Sequence, residues 1–103
     1  MRIKAIIEGI EEWFYVDTGF TGDAIVTSEV FEPFSASNGG EICLTTRLCF
    51  SVAQKYAMLR ILNYETLCRC LWYPGVEENI IGEGILSKVG LILDYKKFEV
   101  KDP

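Results

Sequence analysis

If this chain is a hydrolase, carboxylates are the expected catalysts. Histidine is absent from all 103 residues, which excludes a Ser-His or Cys-His couple, an HExxH zinc site and an imidazole general base. One aspartate stands apart by its neighbours, in Asp17-Thr18-Gly19. A single carboxylate can activate water for hydrolysis only if another group supplies the acid. Two carboxylates held close enough to share one proton do both jobs, because repulsion between like charges keeps one of them protonated. The threonine hydroxyl that follows can bond across to a partner loop, and the glycine lets backbone approach backbone. The tripeptide occurs once. The acidic pairs Glu11-Glu12 and Glu77-Glu78 lie near turns and read as solvated surface, so no partner for Asp17 is visible within the chain.

The four cysteines, Cys43, Cys49, Cys68 and Cys70, lack the paired C-x2-C spacing of common zinc sites. Cys43 and Cys49 share strand parity, as do Cys68 and Cys70, so each pair is expected to face the core from its own strand as buried thiols. No metal and no cofactor is expected. A net charge of -5, with only Lys96-Lys97 as adjacent bases, argues against nucleic acid or an anionic membrane as partner. No apolar stretch approaches the length of a spanning helix, and Met1-Arg2-Ile3-Lys4 runs into a strand pattern instead of a signal-peptide core, which points to a cytoplasmic protein.

The elements that must position Asp17 follow from periodicity. Ile3, Ala5 and Ile7 alternate with polar residues, as in a half-buried strand over Arg2 to Ile7. After a turn at Gly9 to Glu12, Trp13-Phe14-Tyr15-Val16 reads as a strand buried on both faces that ends at Asp17. A tight loop at Gly19 to Gly22 leads to a strand over Asp23 to Phe31. Pro33 to Gly40 reads as an exposed loop, with Asn38-Gly39-Gly40 as a turn. Three strands are expected over Ile42 to Ala53, Tyr56 to Leu62 and Thr66 to Tyr73, broken at Gln54-Lys55 and at Asn63 to Glu65. Asn79 to Gly82 is a short apolar strand. Ile85, Leu86 and Val89 then recur at helical spacing, with Gly90 as C-cap. Leu91 to Tyr95 and Phe98 to Val100 make a terminal strand pair. The aromatic residues Trp13, Phe14, Tyr15, Trp72 and Tyr73 read as core. The whole is mostly β, one domain over residues 1–103, suited to a small closed barrel with one short C-terminal helix.

Two blocks carry a family resemblance. Val16 to Phe31, VDTGFTGDAIVTSEVF, resembles the active-site segment of retropepsin-like aspartic proteases, including small bacterial and archaeal members with a DTGF-type loop. Asn79 to Tyr95, NIIGEGILSKVGLILDY, resembles the late segment of the same family. The resemblance implies a barrel that forms half of a two-fold homodimer, with Asp17 as the catalytic carboxylate, Thr18 gripping the partner loop and Gly19 as the close-approach glycine. It implies that Ile80, Ile81 and Gly82 support that loop, and that a glycine-rich flap covers an extended peptide or protein substrate. Asn38, Gly39 and Gly40 offer the only such tip. The expected function is a homodimeric aspartic endopeptidase. The alternative is a dimeric peptide-binding or assembly module with a weak or inactive site, favoured by Phe20, where many members carry a small residue, and by Ile42 to Tyr73, which does not align. A third reading is an unrelated small barrel with an accidental D-T-G.

Overall fold

The computed structural model describes residues 1–27, 29–30, 37–43 and 45–102. The described elements run β1 (Arg2–Ile7), β2 (Ile10–Val16), β3 (Ala24–Ile25), β4 (Ser37–Cys43), β5 (Cys49–Ile61), β6 (Tyr64–Trp72), β7 (Ile80–Ile81), α1 (Glu83–Val89), β8 (Ile92–Asp94) and β9 (Glu99–Lys101). Neighbour pairing runs β1-β2-β7-β3-β6-β5, and β1 pairs back onto β5, closing a six-stranded barrel. β4 lies outside that ring and pairs only with β5, while β8 and β9 form a separate hairpin. The mostly β barrel with one short helix is the architecture expected from the sequence.

Strand alternation divides the apolar residues between two clusters. Ile3, Ala5 and Ile7 of β1, Phe14 of β2, Leu59 and Ile61 of β5, and Ile81 of β7 fill the barrel, and Ile85 and Leu86 of α1 pack onto them. Residues of opposite parity form the second cluster, Ile25, Val52 and Leu71, against which Phe20, Ile42, Tyr73 and Ile80 pack. Thus Ile81 faces the barrel interior and Ile80, its neighbour, faces the second cluster. α1 ends as expected at Gly90, whose φ of 74° is left-handed and whose N–H donates to Leu86 O.

Several local expectations are corrected. β2 begins at Ile10, so the turn is confined to Glu8-Gly9. Phe14 is fully buried, but Trp13 and Tyr15 are 45% and 42% exposed. A strand of a closed barrel has one face in the core and one outside it, and the outer Trp13 ring is covered by the Arg2 guanidinium at 4.4 Å and the Lys4 ammonium at 5.2 Å. β3 has only two residues. The strand expected to continue to Phe31, and the loop from Pro33, fall partly outside the described residues. β5 runs through Gln54-Lys55 without a break. The chain reverses between Cys43 and Cys49, in the middle of what reads in the sequence as one strand.

That reversal changes the cysteines. Cys43 and Cys49 sit opposite each other on neighbouring strands, exposed, and form a disulfide. Parity along a supposed single strand does not survive a turn placed between them. Cys68 and Cys70 are buried thiols as expected. The Cys70 hydrogen bond first, and burial second, push the Cys68 thiol far above its ordinary value, so it stays protonated and unreactive. Among the described residues no helix is long and apolar enough to cross a membrane.

Candidate active site

Asp17 is delivered by the end of β2 and fixed from the side by β7. β2 and β7 run parallel with Tyr15 opposite Ile80 and Val16 opposite Ile81. The ladder continues one step further: Asp17 N donates to Ile81 O at 3.0 Å. The chain then loops out through Thr18, Gly19 and Phe20 and returns as β3, which pairs antiparallel with the other edge of β7, Ala24 opposite Ile81. β7 is therefore the centrepiece of a loop whose two stems grip it. Ile80 and Ile81 thus lie between the strands that lead into and out of the Asp17 loop.

Within the loop, Gly19 N donates to Asp17 Oδ1 at 2.8 Å and Phe20 N to Asp17 O at 3.2 Å. The first bond orients one carboxylate oxygen inward and leaves Oδ2 for chemistry. A Cβ on Gly19 would lie 3.1 Å from Asp17 Oδ1, so glycine keeps this turn tight. Asp17, Thr18 and Gly19 are all exposed.

The start of α1 braces the loop from behind. Gly82 N donates to Asp23 O at 2.9 Å, Glu83 N to Phe20 O at 2.8 Å and Gly84 N to Gly22 O at 3.0 Å. Helix-start amides ordinarily need a side-chain cap; α1 has none, and the loop carbonyls take that role. The approach is so close that a Cβ on Gly82 would collide with the carbonyl oxygens of Gly22 and Phe20, and one on Gly84 with the Asp23 carboxylate. Position 82 thus requires glycine for a steric reason, since its φ of -103° is open to any residue.

Asp23 closes the loop. Its Oδ2 accepts from Arg69 N of β6 at 2.9 Å and from Lys88 Nζ of α1 at 2.6 Å, and the Asp23 side chain is only 11% exposed. Asn79, buried, spans from β7 to the far side of β3 by accepting at Oδ1 from Thr27 N at 2.9 Å. Asp23, Arg69 and Lys88 are positioning residues that sequence reasoning missed. Asp23 sits at the end of the glycine loop, but no local signal pairs it with a lysine on a helix so distant in sequence.

Asp17 stands between two cavities. One, of about 300 Å³, has Asp17 and Gly19 at its rim, Phe20, Ile25, Tyr73 and Ile80 as apolar walls, and Ile42 and Cys43 of β4 closing it from above. The other, of about 210 Å³, lies against Asp17 and Thr18 on the side of the β8–β9 hairpin, with Met1, Val16, Leu93, Tyr95 and Phe98. Tyr95 and Phe98 are among the most exposed large apolar residues of the chain. Asp17 is the only carboxylate lining either cavity among the described residues.

The remaining candidates, Asn38, Gly39 and Gly40, are placed differently from the hairpin tip expected of them. They lie in β4, at a bulge between Asn38 and Glu41, where the pairing with β5 shifts register. A bulge uses the same residues as a turn, because both need backbone closed to most side chains: Gly40 has φ 90° and its N–H donates to Asn38 Oδ1 at 2.8 Å. The chain turns instead between Cys43 and Cys49, where Thr45 Oγ1 accepts from Leu48 N at 3.1 Å and Arg47 N at 3.3 Å. The hairpin nevertheless reaches the cavity, through Ile42 and Cys43. It is fixed at its base by Arg69, which donates from Nη2 to Gly39 O at 2.8 Å and from Nε to Gln54 Oε1 at 2.6 Å. Farther out, Phe50 stacks on Tyr73 with ring centroids 5.2 Å apart. Comparison with protein-family models and with curated proteins finds no match.

Proposed function

We propose that this chain is one subunit of a homodimeric, retropepsin-like aspartic endopeptidase of the cytoplasm, in which the Asp17 carboxylates of two copies form the catalytic pair. The observation that carries the reading is a lone carboxylate at an exposed loop tip, between two cavities lined by no second acid among the described residues, on a loop braced by β7 and by the start of α1. A rigid support for one half of a two-carboxylate site makes chemical sense if the other half arrives by symmetry, and a two-fold axis through the loop is the simplest way to bring it. Among the described residues nothing bonds the exposed Thr18 hydroxyl, which leaves it for the partner loop.

In this mechanism the pair holds one proton and a water. The ionised Asp17 takes a proton from the water as it attacks the peptide carbonyl, while the protonated Asp17 donates to the carbonyl oxygen. This proton sharing is established behaviour of aspartic-protease dyads. The tetrahedral adduct then collapses with proton transfer to the leaving nitrogen, which frees both products and restores the shared proton. No metal or cofactor is required. The apolar walls formed by Phe20, Ile25, Ile42, Tyr73 and Ile80 suit an apolar side chain next to the scissile bond. The peptide backbone would lie extended beneath the β4–β5 hairpin.

A second reading has one observation in its favour: the Phe20 ring forms part of the cavity wall directly after the Asp17 turn, as suits a dimeric module that binds peptide without cleaving it. Wild type and Asp17→Asn incubated with a denatured protein mixture and a peptide library, from acid to neutral pH, separate the two. The endopeptidase reading expects cleavage that falls by about 10³-fold or more in the variant, with both proteins dimeric by sedimentation. A well-folded wild-type dimer that cleaves nothing at any pH selects the binding module, and a monomer at high concentration removes both.

A further inference from the structure

The Cys43–Cys49 disulfide is used by nothing in the mechanism, yet it sits at the one place where the hairpin meets the Asp17 cavity. Beyond the bulge, β4 and β5 share only three paired positions, Glu41 with Ser51, Ile42 with Phe50 and Cys43 with Cys49. The residues of β5 that make these pairs precede Ala53, where pairing with β6 begins. The outer hairpin therefore overhangs the barrel with no third strand beside it among the described residues. A two-stranded ribbon of that length is marginal by itself. Its base is held by Arg69 on Gly39 O and Gln54 Oε1, its middle by the packing of Ile42 and the stacking of Phe50 on Tyr73, and its far end by the disulfide.

The two cysteine pairs differ in reactivity for structural reasons. Cys43 and Cys49 are exposed on the outer hairpin, open to an attacking thiolate; Cys68 and Cys70 are buried in the barrel. An exposed disulfide that closes a short hairpin and touches a functional cavity has the placement of a regulatory bond, not of a staple for the core.

We propose that Cys43–Cys49 is a reversible redox latch: oxidised, it holds Ile42 and Cys43 as the roof of the Asp17 cavity, and reduced, it lets the outer hairpin open. The reductant is a dithiol, either a small molecule or a protein of the dithiol–disulfide class. One of its thiolates attacks a sulfur of the pair, breaking the bond and forming a mixed disulfide. Its second thiol displaces that sulfur, leaving Cys43 and Cys49 as two thiols and the dithiol as a disulfide, so that two electrons and two protons pass to the chain. As control of the hairpin, the latch stands on its own. As control of peptide access, it rests on the proposed endopeptidase reading.

Hydrogen–deuterium exchange on the full chain, oxidised and under dithiothreitol, tests it. Reduction is expected to speed exchange over residues 41–51 by about tenfold or more, leaving β1 and the β6 core unchanged. Alkylation of the folded, reduced chain should label Cys43 and Cys49 and spare Cys68 and Cys70. A Cys43→Ser, Cys49→Ser double variant should exchange like the reduced form under both conditions. With a cleavable peptide, reduction should raise KM more than it lowers kcat. Equal exchange over residues 41–51 in the two states overturns the latch, even if cleavage is found. Altered exchange without cleavage in either state upholds the latch and overturns the peptidase reading instead.

Discussion

Gly82→Ala is the substitution that most directly tests how the Asp17 loop is held. The added methyl has no backbone cost, because Gly82 sits at φ -103° and ψ -176°, where alanine is at ease. It has a steric cost that cannot be relieved by a side-chain rotation, since the atoms in its way are the carbonyl oxygens of Gly22 and Phe20. Moving α1 away from the loop weakens three bonds together, from Gly82 N to Asp23 O, Glu83 N to Phe20 O and Gly84 N to Gly22 O. At about 1 kcal/mol net each, these place the expected destabilisation at about 2–4 kcal/mol, at the upper end of ordinary single substitutions. Gly75→Ala is the control: nothing lies near its Cβ, but φ is 95°, so it carries about 1–2 kcal/mol of left-handed strain far from the helix contact. Urea unfolding followed by tryptophan fluorescence gives both values from linear extrapolation. If Gly82→Ala costs no more than Gly75→Ala, the close seating of α1 on the loop is wrong. If it costs what is expected, the proposed endopeptidase reading adds that the surviving folded fraction cleaves peptide more slowly, because a displacement of about 1 Å at a reacting group can cost about 100-fold in rate.

Two further outcomes follow from the charged groups. Asp23→Asn is expected to cost about 2 kcal/mol, because a shielded acceptor of both Arg69 N and Lys88 Nζ loses its charge. Lys88→Met should cost about 1 kcal/mol or less, since the ammonium is 46% exposed and Asp23 keeps the Arg69 amide; urea midpoints that rank the two in reverse order would refute this division. In the β8–β9 hairpin, the Lys101 ammonium first, and then the Lys97 and Lys96 amides, hold the Asp94 carboxyl below its ordinary range. The folded value lies below the unfolded one, so the stabilisation is fully present above the ordinary carboxylate range and is lost as pH falls through the depressed value. An NMR titration should place the Asp94 midpoint low and show it rising in Lys101→Ala; a midpoint at the ordinary value that ignores Lys101 would refute it.

The parts of the fold legible in the sequence are those where one physical signal dominates. β1 alternates cleanly, α1 has apolar residues at helical spacing and a left-handed glycine behind it, and Asp17-Thr18-Gly19 lies at the end of an apolar strand. The illegible parts are those where a tertiary choice overrides an ambiguous local pattern. Trp13 and Tyr15 look like core by composition, but closure of the barrel leaves every strand with an outer face, and nothing in four apolar residues says which two go out. Asn38-Gly39-Gly40 carries a turn signal that a β-bulge satisfies equally well. The real reversal, between Cys43 and Cys49, relies on a Thr45 hydroxyl bonding the backbone, a weaker sequence mark than Asn-Gly. From that one misplaced turn came the misreading of Cys43 and Cys49, since the parity rule holds only within a single strand. Asp23, Arg69 and Lys88 meet across three elements, and no spacing rule brings them together.

The closed ring and the strand outside it divide the labour of the molecule. Opening the six-stranded barrel at any seam would break a ladder and expose core residues such as Phe14, Leu59 and Ile81, all fully buried, so the elements carrying Asp17 are drawn from the stable end of the structure. β4 is different, because it contributes no seam to the ring. Peeling it from β5 breaks its own pairs, the Arg69 bond to Gly39 O and the Ile42 packing but opens no ladder of the ring, and releasing its outer part beyond the bulge leaves the Arg69 bond in place. The chain thus braces the Asp17 loop with β7 and α1 and places the strand beside its cavity on an appended ribbon. Such a division lets the ribbon open without loosening the Asp17 loop, and it accounts for a cross-link at the outer end of the ribbon and none in the barrel: the barrel is held by its closed core, whereas the outer ribbon rests on three strand pairs, the Ile42 packing and the Phe50–Tyr73 stack.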